Sequence, residues 1–300
     1  MLNNKQFVFI IGAPRSGTSW LHAILASHPE VAFTDAELTV FNRYVAPLVK
    51  SFELEQKQMK NGKWAQGLPH LWSREKFDRK VSTFIDDIYS SLNISSQHKV
   101  IIDKHPDYSF YIDLIHYYFP KAKLLHIIRD GRDVASSWHK ASYKLGFGNS
   151  TFSGACLDWI KYKNSAEKAR EFAPENYLEI RYENLMTDFH KELNRVLTFC
   201  QLTVTPEITE LITLKNTGEE NMVSSPDKTI RYDDRKKGKP IWEKLLTKEQ
   251  QYLASKYLTE ELIKEGYETS DNWGLNNLDS IIMYLKLKAK GIARRITKTP

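Results

Sequence analysis

The sequence predicts an α/β fold, a parallel β-sheet covered by helices on both faces. Three observations lead there. Short apolar runs recur at residues 7–11, at Val100-Ile101-Ile102 and at Leu124-Leu125-His126-Ile127-Ile128, with a fourth at Tyr177-Leu178-Glu179-Ile180. Segments with helical spacing lie between them. A glycine-bearing turn leaves the first run straight into one of those segments. Strands buried on both faces read as continuous apolar runs, and strand–helix–strand units give parallel neighbours.

Each element has its own signal. Phe7-Val8-Phe9-Ile10-Ile11 is the first strand; it is too short, and too soon followed by glycine, for a signal peptide. Trp20, Leu21, Ile24 and Leu25 share one side of a helix that His28-Pro29 ends. Residues 42–98 exceed a simple crossover, are polar-rich and mostly helical in pattern, and carry Trp64 and Trp72. They read as a helical insertion that either shapes a substrate pocket or merely crosses over. Tyr108, Ile112, Ile115 and Phe119 make a further helical face stopped by Pro120, and Phe189, Leu193, Val196 and Leu197 make another. Thr247 and Gln250 have capping-box spacing before Leu253, Tyr257 and Leu258, and Gly266 closes that helix. The expected organisation is one domain over residues 1–275, with the insertion at about 42–98, and a basic tail over 276–300.

Composition bounds the function. With 300 residues and 41% apolar, the chain fills one core, or one core plus an insertion. No stretch approaches the roughly 20 apolar residues that a membrane span needs. The net charge is +6, but residues 275–300 hold Lys286, Lys288, Lys290, Arg294, Arg295 and Lys298 against Asp279 alone. The body is therefore nearly neutral, which argues against a broad nucleic-acid-binding face. Cys156 and Cys200 have no metal-type spacing and read as inert thiols of a reducing, cytoplasmic setting. The nine histidines form no ligand-spaced cluster, so no metal is expected.

Gly12-Ala13-Pro14-Arg15-Ser16-Gly17-Thr18-Ser19 follows a strand and opens a helix. Backbone N–H groups in such a turn converge on an anion, and the helix start adds a positive dipole end. The glycines fit a P-loop, so the sheet is read as P-loop-type. Thr18, however, stands where a nucleoside-triphosphate loop has its lysine. The cation is Arg15, inside the loop, which suits a shorter anion. Thr18 and Ser19 offer hydroxyl donors. A second motif, Arg129-Asp130-Gly131-Arg132-Asp133-Val134-Ala135-Ser136-Ser137, leaves a strand and enters a helix. Its Arg129 and Ser137 can form a directed phosphate clamp.

Taken together, Pro14-Arg15-Ser16-Gly17-Thr18-Ser19-Trp20-Leu21 and the Arg129/Ser137 pair resemble the sulfotransferase superfamily. Ser27-His28-Pro29-Glu30-Val31 looks like the continuation found in bacterial and tyrosylprotein-type members. The resemblance implies a co-substrate, 3′-phosphoadenosine-5′-phosphosulfate (PAPS). Residues 14–20 would hold its 5′-phosphosulfate, and Arg129 and Ser137 its 3′-phosphate. It also implies Tyr182, in Arg181-Tyr182-Glu183-Asn184-Leu185, near the nucleotide. Arg235 and Lys236, in Arg235-Lys236-Lys237-Gly238, would close over the 3′-phosphate; here the glycine is displaced by one residue.

Sulfuryl transfer requires in-line positioning and charge stabilisation on the leaving group. Arg15 is placed for that, and Lys104 in Asp103-Lys104-His105-Pro106 matches the family's lysine. A general base must take the acceptor's proton. Glu37, in a segment resembling that of carbohydrate-type members, competes with His105, and Asp35 is a third choice. The expected acceptor is a hydroxyl or amine, with a carbohydrate or glycolipid favoured by the resemblance. The rival readings are a P-loop small-molecule kinase and a catalytically silent nucleotide-binding protein. Leu278, Ile281, Ile282, Leu285, Leu287, Ile292 and Ile296 among the tail's basic residues allow either a packed C-terminal helix or peripheral contact with an inner membrane face.

Overall fold

A computed structural model describes residues 2, 4–61, 67–172, 174–216 and 241–296. Trp64, Arg235 and Lys236 lie outside the described residues. Among the described residues, five parallel strands form one sheet in the order β2-β3-β1-β4-β5. They are β1 (Gln6–Ile11), β2 (Val31–Ala32), β3 (Val100–Lys104), β4 (Lys123–Ile128) and β5 (Tyr177–Arg181). The four apolar runs of the sequence are β1, β3, β4 and β5. The edge strand β2 has two residues, too few to show a pattern.

The early helices are α1 (Thr18–Ala26), α2 (Ala46–Lys60), α3 (Arg74–Ser90) and α4 (Ile112–Tyr118). Next come α5 (Gly131–Lys144), α6 (Phe152–Glu167), α7 (Ala169–Phe172), α8 (Tyr182–Thr187), α9 (Phe189–Phe199) and α10 (Pro206–Asn216). The last are α11 (Trp242–Leu245), α12 (Lys248–Lys264) and α13 (Asn277–Ile296).

Side chains of a strand point to alternate faces, and both faces here are apolar. Phe7, Phe9 and Ile11 of β1 pack with Val49, Phe52, Phe77, Val81 and Ile85 of α2 and α3. The 42–98 stretch therefore covers the sheet itself, with Trp72 packed against the same core. Val8 and Ile10 face the other way, onto Leu21, Ile24 and Leu25 of α1 and onto α9. A third cluster joins α5, α6, α11 and α12 through Val134, Trp159, Trp242 and Leu258. The capping box of α12 forms as the spacing predicts: Gln250 N donates to Thr247 Oγ1, and Thr247 N donates to Gln250 Oε1. Cys156 and Cys200 are free and buried, and burial pushes both thiols up to about 12.

The topology locates the site. From β1 the chain crosses to β2 on one side, and from β4 it crosses to β5 on the other. The crevice between the carboxyl ends of β1 and β4 is a topological switch point, where open α/β sheets bind ligands. The loops that leave those two strands carry the two motifs.

Candidate active site

The first loop is shaped by its glycines. Gly12 has φ +135°, and a Cβ there would lie 2.4 Å from the Ile127 carbonyl oxygen. Gly17 has φ +109°, and a Cβ there would lie 2.7 Å from the Tyr182 ring. No other residue type fits these close approaches. Fully buried Ser16 tightens the turn, donating from Oγ to the Ala13 carbonyl at 2.6 Å and from N to the same oxygen at 3.1 Å. Gly12 N donates to Ser109 Oγ at 3.1 Å, tying the loop to the segment after β3. Gly17 caps α1 without a side-chain hydrogen bond, so first-turn N–H groups of α1 are available to an anion. Arg15 has φ +71°, a left-handed conformation that is uncommon for a residue with a side chain and marks functional sites.

That conformation joins the two motifs. Arg15 Nε donates to Ser137 Oγ at 3.1 Å, so the serine of the second motif serves the arginine of the first. Burial lowers the pKa of Arg15, and the nearby Arg129 cation lowers it further. Two guanidinium groups that repel one another across a crevice form a place for an anion.

Arg129 is largely but not fully buried, its side chain 13% exposed, and it is strongly oriented. Nη2 donates to Asp133 at 3.1 Å, and the guanidinium lies 4.3 Å from the centre of the Tyr182 ring. Its backbone carbonyl accepts from Trp159 Nε1 at 3.1 Å. Burial works against its charge, but Tyr182, Asp133 and Glu183 outweigh that and hold its pKa above the ordinary value. Arg129 Nε is buried with no hydrogen-bond partner among the described residues. A buried unpaired donor is costly, and an anionic ligand would satisfy it. Arg132 does not enter the site. It is buried on Asp130, with Trp242 and Trp273 centred 4.3 Å and 4.6 Å away. It is a structural clamp inside the motif.

Lys104, Glu37 and His105 converge at the end of β3. Lys104 Nζ pairs with Glu37 Oε1 and reaches Ser19 Oγ at 3.3 Å. His105 Nε2 stands 3.3 Å from Glu37 Oε2. His105 Nδ1 accepts from the Asp107 backbone N–H at 3.1 Å, which leaves the ring proton on Nε2, facing Glu37. The Glu37 segment is held from behind. Val40 N donates to Tyr108 Oη at 2.9 Å, and Tyr108 and Tyr89 both donate to the buried Asp103 carboxylate at 2.8 Å. Thr39, just before, has φ +55°, and residues Val40–Val45 form a π-helix.

His22 is a member of this neighbourhood that sequence reasoning missed. It lies on α1, one turn beyond Ser19, with its ring 6.0 Å from Phe33. Burial lowers its pKa to about 4, aided by Lys104 and opposed by Asp35 and Glu37. The i, i+3 spacing from Ser19 was the available signal. Among the described residues, no three His, Cys, Asp or Glu side chains gather as a metal would need.

Residues 7–206 match the model of the Sulfotransferase family. A putative protein-tyrosine sulfotransferase of Caenorhabditis briggsae is 26% identical over 210 residues, covering 67% of this chain and 68% of that protein. Omega-hydroxy-beta-dihydromenaquinone-9 sulfotransferase Stf3 of Mycobacterium bovis is 30% identical over 135 residues, covering 42% of this chain and 32% of that protein. The chain spans about a third of the length of the bacterial relatives it matches. In fold it is similar to mouse sulfotransferase SULT7A1 complexed with PAP, with a TM-score of 0.52 at 18% identity, covering 86% of this chain and 84% of that one.

Proposed function

We propose that this chain, which belongs to the sulfotransferase family, transfers the sulfuryl group of PAPS to a hydroxyl (or amine) of a carbohydrate or glycolipid acceptor. The observation that carries the reading is the Arg15–Ser137 hydrogen bond, which unites two cationic motifs at the switch point of the sheet. The residues present fit the co-substrate. Arg129 offers an unpartnered buried donor beside Tyr182, suited to the 3′-phosphate. The Pro14–Trp20 loop offers backbone and hydroxyl donors for the 5′ end. Arg235 and Lys236 join the 3′-phosphate side by resemblance alone.

In the reaction, a bond forms between sulfur and the acceptor oxygen, and the bond from sulfur to the 5′-phosphate oxygen breaks. Adenosine 3′,5′-bisphosphate departs. Arg15 and Lys104 meet the negative charge that grows on the departing oxygen. Glu37 takes the acceptor's proton. The geometry favours Glu37 over His105, because His105 Nε2 carries a proton and faces Glu37 as a donor. Lys104 holds Glu37 through the same carboxylate, so engagement of Lys104 by the sulfate would release Glu37 for its task.

The carbohydrate or glycolipid reading rests on the resemblance of the loop and of Asp35–Phe41 to carbohydrate-type members. Two free buried thiols suit a cytoplasmic setting. The test is a screen of glycan, glycolipid, quinol and tyrosyl-peptide acceptors with radiolabelled PAPS. Label entering a glycan or glycolipid supports the reading. Label entering only peptide or quinol removes this acceptor class. Turnover of ATP with magnesium in place of PAPS would make the chain a kinase. Tight binding of adenosine 3′,5′-bisphosphate without transfer to any acceptor would make it a silent binding protein.

A further inference from the structure

Helix α13 presents an apolar stripe that the other described residues leave exposed. Leu278, Ile281, Ile282 and Leu285 follow the i, i+3, i+4, i+7 spacing of one helix face. They are 69%, 57%, 41% and 56% exposed. The described polar ties of the helix to its surroundings gather at its start. Lys248 pairs with Asp279 at 3.2 Å, and Asn276 and Leu275 bond to Asp279 and Ser280. A C-terminal helix packed on the body would bury this stripe.

Charge identifies what covers it. At about 100° per residue, Lys286 and Lys288 fall roughly 80° to either side of the stripe. The sequence continues with Lys290, Arg294, Arg295 and Lys298, and Asp279 is the sole acidic residue of the tail. Long cationic side chains flanking an apolar stripe can reach phosphates while the stripe enters the acyl boundary. A second copy of the chain is a poor occupant, because two such helices would bring like charges together. None of the described helices is long and apolar enough to cross a membrane, so the mode is lying on the surface.

We propose that α13 seats this stripe in the headgroup region of a bilayer rich in anionic phospholipid. The consequence for substrate rests on the transferase reading above: a membrane-held enzyme meets acceptors carried by lipids. The anchoring itself does not depend on that reading.

The experiment is co-sedimentation of the full chain with two kinds of vesicle, phosphatidylcholine alone and phosphatidylcholine with about a third phosphatidylglycerol. The expected result is pelleting with the anionic vesicles only, weakened by raising salt from about 0.1 M to about 0.5 M. The double variant Ile281→Glu/Leu285→Glu should bind at least about tenfold more weakly at an unchanged melting temperature. The double variant Lys286→Ala/Lys288→Ala should lose about thirtyfold. The proposal is overturned if wild type stays in the supernatant, if it pellets equally with neutral vesicles, or if both variants pellet like wild type. It is also overturned if wild type is a lipid-free dimer that Ile281→Glu/Leu285→Glu dissociates. Calorimetric titration of the same samples with adenosine 3′,5′-bisphosphate keeps a failure here distinct from a failure of the nucleotide site.

Discussion

Replacing Glu37 with glutamine keeps the side chain's shape and removes its ability to take a proton. Glu37 holds Lys104 through Oε1 and faces His105 Nε2 through Oε2. A positioned general base contributes about 10²- to 10⁴-fold to rate, so kcat should fall by that range. Nucleotide affinity should hold, because Lys104 keeps Ser19 Oγ at 3.3 Å and loses only a carboxylate that competes with the sulfate. The Glu37 side chain is 42% exposed, so breaking its ion pairs should cost about 0–1 kcal/mol of stability. His105→Ala should lower kcat by less than about tenfold, since that ring acts as a donor to Glu37. Single-turnover transfer from radiolabelled PAPS reads the chemical step, and calorimetry with adenosine 3′,5′-bisphosphate reads binding. The reasoning is refuted if His105→Ala loses more rate than Glu37→Gln, or if Glu37→Gln changes affinity rather than rate.

Arg15→Ala should reduce transfer by at least about 10²- to 10³-fold, the scale for losing one charge-stabilising donor; an unchanged rate would remove Arg15 from the mechanism. Arg129→Lys keeps a cation for Asp133 but loses the fork, so preference for adenosine 3′,5′-bisphosphate over adenosine 5′-phosphate should drop about 10- to 150-fold by calorimetry. A preserved preference would place the 3′-phosphate elsewhere. His22 has a folded pKa of about 4 against 6.5 unfolded, so the unfolded chain binds more protons between those values and stability falls on acidification through that window. Melting curves of His22→Gln should therefore show a shallower loss between pH 6.5 and pH 4 than wild type; parallel curves would contradict this. Tyr108→Phe leaves the Val40 N–H unpaired and deprives Asp103 of a donor, so denaturant titration should show a loss of about 1–3 kcal/mol, and no loss would contradict the network.

The fold and the placement of the two motif loops were legible because their signals are local. A buried strand must be apolar over its whole length, and the Gly12–Gly17 turn needs glycine where Ile127 and Tyr182 approach it. Arg129 and Ser137 sit on one strand end and the helix that follows, so their spacing carries them. What the sequence could not show is contact between distant segments. Ser137 bonding Arg15 rather than acting only beside Arg129 depends on how the β1 and β4 loops meet. The Asp103, Tyr89 and Tyr108 network reads as scattered polar residues until β3 and α3 pack together. β2 is too short for periodicity, and the π-helix at Val40–Val45 follows a left-handed Thr39 that no propensity predicts. His22 looked like an ordinary helix residue because Lys104, Asp35 and Glu37 reach it from other elements.

Calorimetric titration of the wild-type chain with adenosine 3′,5′-bisphosphate and, separately, with magnesium ATP tests the central claim most directly. Two cationic motifs meeting at the β1–β4 crevice predict tight binding of the bisphosphate without metal, and ATP weaker by at least about a hundredfold. Tighter binding of magnesium ATP, with the bisphosphate ignored, would contradict the account.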